Sequence, residues 1–376
     1  MAELLTNTTD LTKVADAIRE KGGTSDSLVY PDGFVTAIQA IQTGTELQII
    51  ATVTSGAVVT ATKGSLSVSG TSVDGTCTLT VPEEGEWTVS AELGGETSES
   101  NIVNVVSSYD TALVFISTIL NDNSWEAIHR ASDAGTGANY WSIGDRKAVT
   151  LNGTVGKLSL SNVTTYAFII GFNHNASVEG TNRIHFQLAK TALSGGTDIA
   201  LCDSSYSQAI SGRGYFSING GGYNRGGWNE SQMRTNICGT SLSSYSGTII
   251  ATIPEALRAV LKSVTKYTDN TGNYSASASA VTATTDYFFL LSEFEVSGSI
   301  TYANRYEANK QLQYAYYSSG NSKIKYKYDN TSTAVRWWLR SPYASNSGGF
   351  TFVETTGTVM RYDANFSYGF APAFCV

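Results

Sequence analysis

The fold of this chain is decided by two stretches near its C-terminus, RWWLRSPY at residues 336–343 and GFAPAFCV at residues 369–376. Each places large apolar side chains in a short strand-like run beside a proline, which fixes the chain at a strand boundary. Trp337 and Phe374 are large enough for the burial of each to contribute about 2 to 3 kcal/mol. We therefore predict core strands here, with one of the two adjacent tryptophans facing inward and Arg340 paired to a carbonyl or carboxylate inside the loop.

The segment between these stretches has the composition of a binding surface. Residues 343–368 are rich in Tyr, Ser, Asn, Gly, Phe and Thr and carry little charge. Tyr and Phe give a large contact area with two torsions to freeze, and Ser, Asn and Gly give adaptable hydrogen bonds. Strand side chains point to alternate faces, so the other reading is that half of the candidates fill the core. The candidate ligand-binding residues are Tyr343, Asn346, Phe350, Tyr362, Asp363, Asn365, Phe366 and Tyr368.

Both stretches resemble the C-terminal signature of a large phage-associated family with the C-type lectin fold. The family typically reads Trp-Leu-Arg-Ser-Pro and ends in Gly-x-x-Pro-Ala-Phe. Matching elements occur upstream as WSIGD at residues 141–145 and GGW at residues 226–228, so the likeness spans nearly all of residues 110–376. The resemblance implies a C-type lectin fold domain over residues 107–376 and a role as a phage-tail adhesin.

A short helical module is predicted over residues 1–45. Apolar residues from Leu11 to Ile18 fall at i, i+3, i+4 and i+7, with Asp10 as the cap and the glycine pair after Lys21 as the end. A second helix begins near Pro31 and carries apolar residues on one face, namely Phe34, Ile38 and Ile41.

Two helices of this length cannot bury a core alone, so the module is expected to attach to another protein or to drive homo-oligomerisation. Its pattern resembles a short module found near the ends of tail proteins in phages of Gram-positive hosts. By analogy with tail fibres, we expect a homotrimer and contacts with other phage tail proteins.

Residues 46–106 are predicted to form a β-sandwich. Polar and apolar residues broadly alternate there, and Gly-containing turns interrupt them every 8 to 12 residues. The runs TCTL at residues 76–79 and GEWTV at residues 85–89 resemble the immunoglobulin-like spacer domains of tail and surface proteins. The segment contains no clustered acid, base or nucleophile, which favours a spacer.

After residue 107, helices and strands alternate without a repeat. Ser124 and the segment 229–231 can cap two helices, Pro254 opens a third whose apolar stripe continues to Val264, and residues 302–317 keep a helical period. Strands are predicted at residues 141–143, 166–172, 183–189, 337–340, 349–353, 359–361 and 369–375. The fold class is therefore α+β and multidomain, with a helical module, a β-sandwich and a C-type lectin fold domain.

Composition argues against nucleic acid and membrane partners. The chain of 376 residues has a net charge of −8, so no positive field exists to hold a phosphate backbone. No run of about 18 apolar residues occurs, and the N-terminus lacks a basic region followed by an apolar stretch. We expect a soluble chain made in the host cytoplasm, without membrane insertion, that is localised in the virion.

Cysteine and histidine spacing does not predict a catalytic or metal site. Cys77, Cys202, Cys238 and Cys375 lack the C-x-x-C pattern, so buried thiols are expected, with a Cys202 to Cys238 disulfide as the alternative. None of the three histidines has metal-ligand spacing. The proline contexts also lack the Glu-Pro-Asn and Gln-Pro-Asp triplets of calcium-dependent lectins. We therefore expect no cofactor, no metal and no enzymatic activity.

The predicted function is adhesion of a phage tail, or of a tail-like particle, to a bacterial surface receptor that is a protein or a glycan. The first alternative is a structural virion decoration without a selective ligand. A remote alternative is an oxidoreductase like the formylglycine-generating enzymes, which need two cysteines a few residues apart. Related adhesins diversify this segment through Asn codons, and the resemblance permits that here, although Glu354 and Met360 do not arise from such codons.

Overall fold

The protein divides into two compact units, Met1–Phe115 and Ile116–Val376. Strands in several small sheets dominate and helices are few, which confirms the predicted mixture of helices and strands. Among the described residues, no helix has both the length and the apolar character needed to cross a bilayer. The structure is a computed structural model, and it describes residues 8–22, 27–40, 46–106, 108–113 and 115–376.

Two helices open the first unit, α1 at Thr8–Gly22 and α2 at Asp32–Ala40. α1 ends where the glycine pair predicts, but it begins upstream of the predicted cap at Asp10. Pro31 directly precedes α2, where its fixed φ and missing N–H group suit the start of a helix. Both predicted helices are therefore confirmed.

The core of the helical module is very small. Ala15, Ile18 and Phe34 are its buried apolar residues among those described. Ile38, predicted to share a face with Phe34, is instead 53% exposed, and Ile41 lies outside the described residues. The helices therefore leave apolar side chains uncovered.

The rest of the first unit is a β-sandwich, whose strands follow the predicted alternation. Its core is shared by two sheets, of order β4-β1-β8 and β3-β2-β5-β6, with β7 on β5, and the Trp87 ring is fully buried in it. Because β8 pairs with β1 in parallel, the sandwich continues past the predicted boundary at residue 106. The strands are β1 Gln48–Thr52, β2 Val58–Lys63, β3 Leu66–Thr71, β4 Thr76–Thr80, β5 Gly85–Leu93, β6 Glu96–Thr97, β7 Asn101–Val105 and β8 Ser108–Ala112.

The second unit contains the remaining strands. A five-stranded sheet has the order β15-β21-β11-β10-β9, so the C-terminal strand pairs with the central strand of this sheet. A separate antiparallel sheet of order β18-β19-β20 carries most of the predicted binding segment. The strands are β9 Arg146–Val155, β10 Leu158–Phe172, β11 Ile184–Lys190, β12 Ile199–Ala200, β13 Val264–Asp269, β14 Val281–Asp286, β15 Phe288–Phe289, β16 Lys325–Lys327, β17 Asn330–Val335, β18 Trp337–Pro342, β19 Gly349–Val353, β20 Val359–Asp363 and β21 Ala373–Cys375.

Helices of the second unit are short. Ser124 caps the first, since its Oγ accepts from the Ala127 N–H at 3.0 Å, and Ser231 Oγ likewise accepts from the Arg234 N–H at 3.1 Å. The α-helices are α3 Trp125–Asp133, α4 Gly137–Tyr140, α5 Ala176–Glu179, α6 Glu255–Arg258, α7 Glu293–Ser297 and α8 Ala315–Ser318. A π-helix spans Met233–Cys238, and 3-10 turns lie at Leu120–Asp122, Ile249–Ala251, Ala278–Ala280 and Arg305–Asn309.

Three local predictions in the second unit are wrong, and the strand predicted at residues 369–375 is continuous only over Ala373–Cys375. The helix opened by Pro254 ends at Arg258, and Val264 already begins β13. The predicted helix over residues 302–317 is two short helical turns separated by an extended segment. The strand predicted at residues 141–143 is a loop after α4. Helical or strand periodicity over so few residues is easily overridden by tertiary packing.

Both tryptophans of the C-terminal stretch are core residues, whereas the sequence predicts one. Trp337 and Trp338 are fully buried, because the whole of β18 is covered on both faces. Each indole N–H has a carbonyl partner: Trp337 donates to Lys323 at 2.9 Å and Trp338 to Phe216 at 3.0 Å. Burial therefore leaves neither N–H unsatisfied.

All four cysteines are free buried thiols, as the main prediction has it, and no disulfide joins Cys202 to Cys238. Burial raises the pKa of the Cys375 thiol to about 12, so this group is protonated at neutral pH. Its Sγ lies 3.3 Å from His185 Nδ1 in the core.

Candidate functional site

Four of the predicted binding residues line one cleft. Tyr362 and Asp363 are held by the antiparallel pairing of β20 with β19, which places Gly349 opposite Asp363, and Tyr343 and Asn346 lie in the loop before β19. Tyr362 is 45% exposed, Asp363 is exposed, and Tyr343 and Asn346 are half-buried. The cleft has a volume of about 250 Å³ and is lined by Tyr343, Asn346, Gly349, Arg361, Tyr362 and Asp363.

Asn365 and Phe366 follow directly after β20 and are half-buried. The Phe366 ring packs edge-on against Tyr362, with ring centroids 4.6 Å apart. The Asn365 side-chain oxygen is buried and has no hydrogen-bond partner among the described residues. Phe366 therefore supports the Tyr362 ring, and both residues are only partly available to a ligand.

Phe350 and Tyr368 are core residues, which corrects their prediction as ligand contacts. β19 is the central strand of its sheet and is buried along its whole length, so Phe350 has no exposed surface. Tyr368 is also fully buried, where its ring lies 4.8 Å from Trp338 and 5.1 Å from Phe352 by centroid. For these two residues, the core-filling alternative is correct.

Arg361 belongs to the site and was not among the predicted residues. Its guanidinium carbon lies 5.1 Å from the Tyr343 ring centroid, within the range of a cation–π contact. A hydrogen bond from Arg361 also lowers the pKa of the Tyr343 phenol. The sequence does contain a signal that could have indicated Arg361. This arginine stands directly before Tyr362 on a polar strand, and Arg and Tyr are both enriched at interfaces.

Asn346 shapes the cleft through its own turn. Its side-chain oxygen accepts hydrogen bonds from the Gly348 N–H at 3.0 Å and the Gly349 N–H at 2.9 Å. Asparagine commonly stabilises turns in this way. Its side-chain oxygen is thus engaged in shaping the loop.

Asn224 holds the loop that forms part of the cleft, and no sequence pattern indicated this residue. The residue is fully buried, and its Nδ2 donates to the carbonyls of Tyr343 at 3.1 Å, Asn346 at 2.9 Å and Gly349 at 3.0 Å. A single amide therefore ties both ends of the 343–349 loop together. Because these partners lie more than a hundred residues away along the chain, their proximity appears only in the folded structure.

The strand that enters the cleft is anchored by a buried ion network. As predicted, Arg340 pairs internally: its Nη2 donates to Glu295 Oε1 at 2.9 Å and its Nη1 to the Leu290 carbonyl at 2.8 Å. Burial alone would raise the pKa of Glu295, but the charges of Arg340 and Lys266 hold that pKa well below its usual range. The network fixes β18 three residues before Tyr343.

One cluster has the residue types of a metal site. His174, Glu179 and Glu295 place ligand atoms within 4.8 Å of one another in the core. However, Lys266 Nζ donates to Glu179 Oε2 at 2.7 Å and to Glu295 Oε1 at 3.0 Å. The lysine ammonium thus fills the cationic position between the carboxylates, and the cluster is a structural ion network.

Residues 209–376 match a family described as Domain of unknown function (DUF6273). No curated protein matches the chain. The matched segment contains Asn224, the ion-pairing residues Glu295 and Arg340, and every residue that lines the cleft.

Proposed function

We propose that this chain is the receptor-binding protein of a phage tail or related tail-like particle, which adheres through its C-terminal cleft to a bacterial surface receptor. The observation that carries the proposal is the group formed by Tyr343, Arg361 and Tyr362 around one cleft. Exposed Tyr and Arg side chains commonly supply the few contacts that dominate an interface.

The scaffold beneath these residues supports such a role. Asn224 and Asn346 hold the loop by hydrogen bonds to backbone groups, so little conformational entropy remains to be lost on binding. Rigid presentation of aromatic side chains is how antibody-like surfaces reach useful affinity.

The other parts of the chain fit the same proposal. The resemblance of the C-terminal stretches supports a C-type lectin fold for residues 107–376 and a place on the virion within this proposal. The β-sandwich then serves as an immunoglobulin-like spacer. The helical module joins copies of the chain, as a homotrimer, or docks to other tail proteins.

Binding of the labelled full chain to a panel of intact Gram-positive bacteria tests the proposal. We expect selective binding to some strains, and a reduction of at least about 10-fold in apparent affinity for a Tyr343→Ala, Tyr362→Ala double variant. Tyr109→Ala is the matched control, because Tyr109 is a 40% exposed tyrosine of the first unit.

Two outcomes contradict the proposal. Equal binding by the double variant and the control variant would place the receptor site elsewhere. Failure of the unaltered chain to bind any strain in the panel would instead favour a structural virion decoration without a selective ligand.

A further inference from the structure

We infer that the receptor surface is composite and fits a folded protein: Tyr274 and Tyr302, from two loops outside the C-terminal segment, contact the receptor together with Tyr343 and Tyr362. Asn224 is the positioning residue that connects the loop of Tyr274 to the cleft. This inference rests on the proposed function and names the surface and the class of receptor.

Tyr302 is joined to the cleft by direct contacts. Its half-buried ring packs edge-on against Tyr343, with centroids 6.0 Å apart, and the Arg361 guanidinium carbon lies 5.5 Å from the Tyr302 centroid. The Tyr302 carbonyl also accepts from the Ala344 N–H at 3.0 Å. Arg361 therefore contacts two tyrosine rings at once, which extends the aromatic surface beyond the residues that line the cleft.

A buried carboxylate holds Tyr302 in place. Glu293 accepts hydrogen bonds from three consecutive backbone N–H groups, those of Thr301 at 2.7 Å, Tyr302 at 3.1 Å and Ala303 at 2.7 Å. Only 1% of Glu293 is exposed. The loop that presents Tyr302 is thus fixed by charge-assisted bonds to its backbone. The Tyr302 hydroxyl donates to Met360 Sδ at 3.6 Å, and the exposed part of its half-buried ring is available to a receptor.

Tyr274 is presented in an unusual backbone conformation. It is 65% exposed and has a φ of 66°, directly after Asn273 with a φ of 55°. The left-handed region is unfavourable for a bulky residue and persists only where the surrounding structure over-determines it. A large aromatic side chain held toward solvent at such a cost points to a role in binding.

Asn224 provides the connection between this loop and the cleft. Its Oδ1 accepts from the Asn273 N–H at 2.8 Å, while its Nδ2 donates to three carbonyls of the 343–349 loop. The Asp269 carboxylate completes the support by accepting from the Thr271 and Gly272 N–H groups, both at 2.9 Å. Opposite ends of one buried amide therefore hold the two loops together.

The shape and chemistry of this surface fit a folded protein. The cleft, at about 250 Å³, is smaller than the ~300 to 1,000 Å³ typical of sites that enclose a small ligand. The aromatic side chains come from three loops and from β20, and Tyr274 and Tyr302 are not among the residues that line the cleft. Tyr and Arg are enriched at protein interfaces, and an extended array of them suits a broad, shallow contact.

The test uses the full chain and intact cells of a strain that it binds. Tyr274→Ala and Tyr302→Ala are each expected to weaken binding at least about 5-fold. Tyr274→Ala, at a 65% exposed position, should have the melting temperature of the Tyr109→Ala control. Binding by Tyr302→Ala, which removes a half-buried ring, is measured well below its own melting temperature. Pretreatment of the cells with proteinase K should abolish binding, whereas periodate oxidation of their glycans should leave it unchanged.

A double-mutant cycle tests the positioning role of Asn224. If Asn224 positions the loop, Tyr274→Ala should weaken binding clearly less in an Asn224→Ala background than in the unaltered chain. Equal effects in the two backgrounds would show that Asn224 only stabilises the fold. The single tyrosine variants remain informative even if Asn224→Ala does not fold.

The outcomes separate this inference from the proposed function. If Tyr274→Ala and Tyr302→Ala bind normally while the Tyr343→Ala, Tyr362→Ala variant does not, the surface is not composite but the proposed function stands. Binding that resists proteinase and is lost after periodate would overturn the protein receptor in favour of a glycan. If the unaltered chain binds no cells, both the inference and the proposed function fail.

Discussion

The Glu295 carboxylate is fully buried between two cations, the Arg340 guanidinium and the Lys266 ammonium. Buried charged and amide side chains such as this one fix the position of strands and loops around the cleft. The ion network fixes one strand, the Glu293 carboxylate fixes one loop, and the Asn224 amide fixes two more. At the residue scale, buried polar groups thus fix the loops around the cleft, and exposed or half-buried tyrosines lie on those loops and on β20.

Glu295→Gln should destabilise the protein strongly. The substitution leaves Arg340 and Lys266 with less compensating charge in the core, and breaking a buried pair typically costs about 3 to 5 kcal/mol. Glu354→Gln is the matched control, because the Arg336 to Glu354 pair, at 2.9 Å, is only partly buried and should contribute under about 1 kcal/mol. Urea unfolding measures both, and equal changes would contradict the role assigned to burial.

A comparison of Trp337→Ala with Tyr362→Ala should distinguish a core residue from a surface residue. Removal of a fully buried indole leaves a cavity and should cost about 3 to 5 kcal/mol, seen as a clear fall in melting temperature. Tyr362→Ala, at an exposed position, should change stability by about 0.5 kcal/mol or less while it weakens cell binding. A large thermal shift in Tyr362→Ala would mean that its ring is structural.

At the element scale, strands with strong patterns were predictable and short helices were not. β19 has the predicted bounds, because a run of glycine, aromatic and β-branched residues favours a strand in any context. The segment between Asn309 and Ala315 is extended instead, since the Tyr314 N–H donates to the Glu295 carbonyl at 3.0 Å. Its helical period was outweighed by tertiary hydrogen bonds.

The same limit applies to the cleft. Composition placed Tyr343 and Tyr362, which line the cleft, among the candidates, because aromatic residues in a polar segment are visible in the sequence. It did not identify Asn224 or Glu293, whose roles depend on bonds between a side chain and distant backbone groups. It also placed Phe350 among the candidates, since sequence alone does not show which strand lies at the centre of a sheet.

Glu307 links several elements and should make stability depend on pH. It is buried in the 3-10 turn Arg305–Asn309, where it accepts from the Asp269 N–H and the Ser341 hydroxyl. Burial raises the pKa of Glu307 to about 7, whereas an unfolded glutamate titrates near about 4.3. The stability gained from the protonated form is therefore complete below about pH 4.3 and is lost as pH rises through about 7.

Glu307→Gln removes this titration. Between about pH 5 and about pH 8, the free energy of unfolding of the variant should improve relative to the unaltered chain by about 2 to 3 kcal/mol. Urea unfolding at both pH values measures the change. Any pH-independent cost of the substitution cancels, because it is the same at both pH values. A difference that does not vary with pH would show that Glu307 is ionised throughout.

At the scale of the whole molecule, the two compact units have cores of very different size. The second unit has one extensive core, and the sandwich has its own. The helical module buries very few apolar side chains, while others on the same helices stay exposed. Those others are Val14, Val35 and Ile38. Helices this short gain most of their stability from packing, so their exposed apolar side chains favour contact with another surface.

The helical module should therefore control oligomeric state. In light scattering, we expect the full chain to form an oligomer, with a trimer preferred, and a Val35→Glu, Ile38→Glu variant to be monomeric because charged side chains oppose burial of that face. Val73→Glu is the matched control, since Val73 is an exposed apolar residue of the sandwich and its substitution should leave the oligomer intact. If the unaltered chain is itself monomeric, contact between copies through the helical module is excluded.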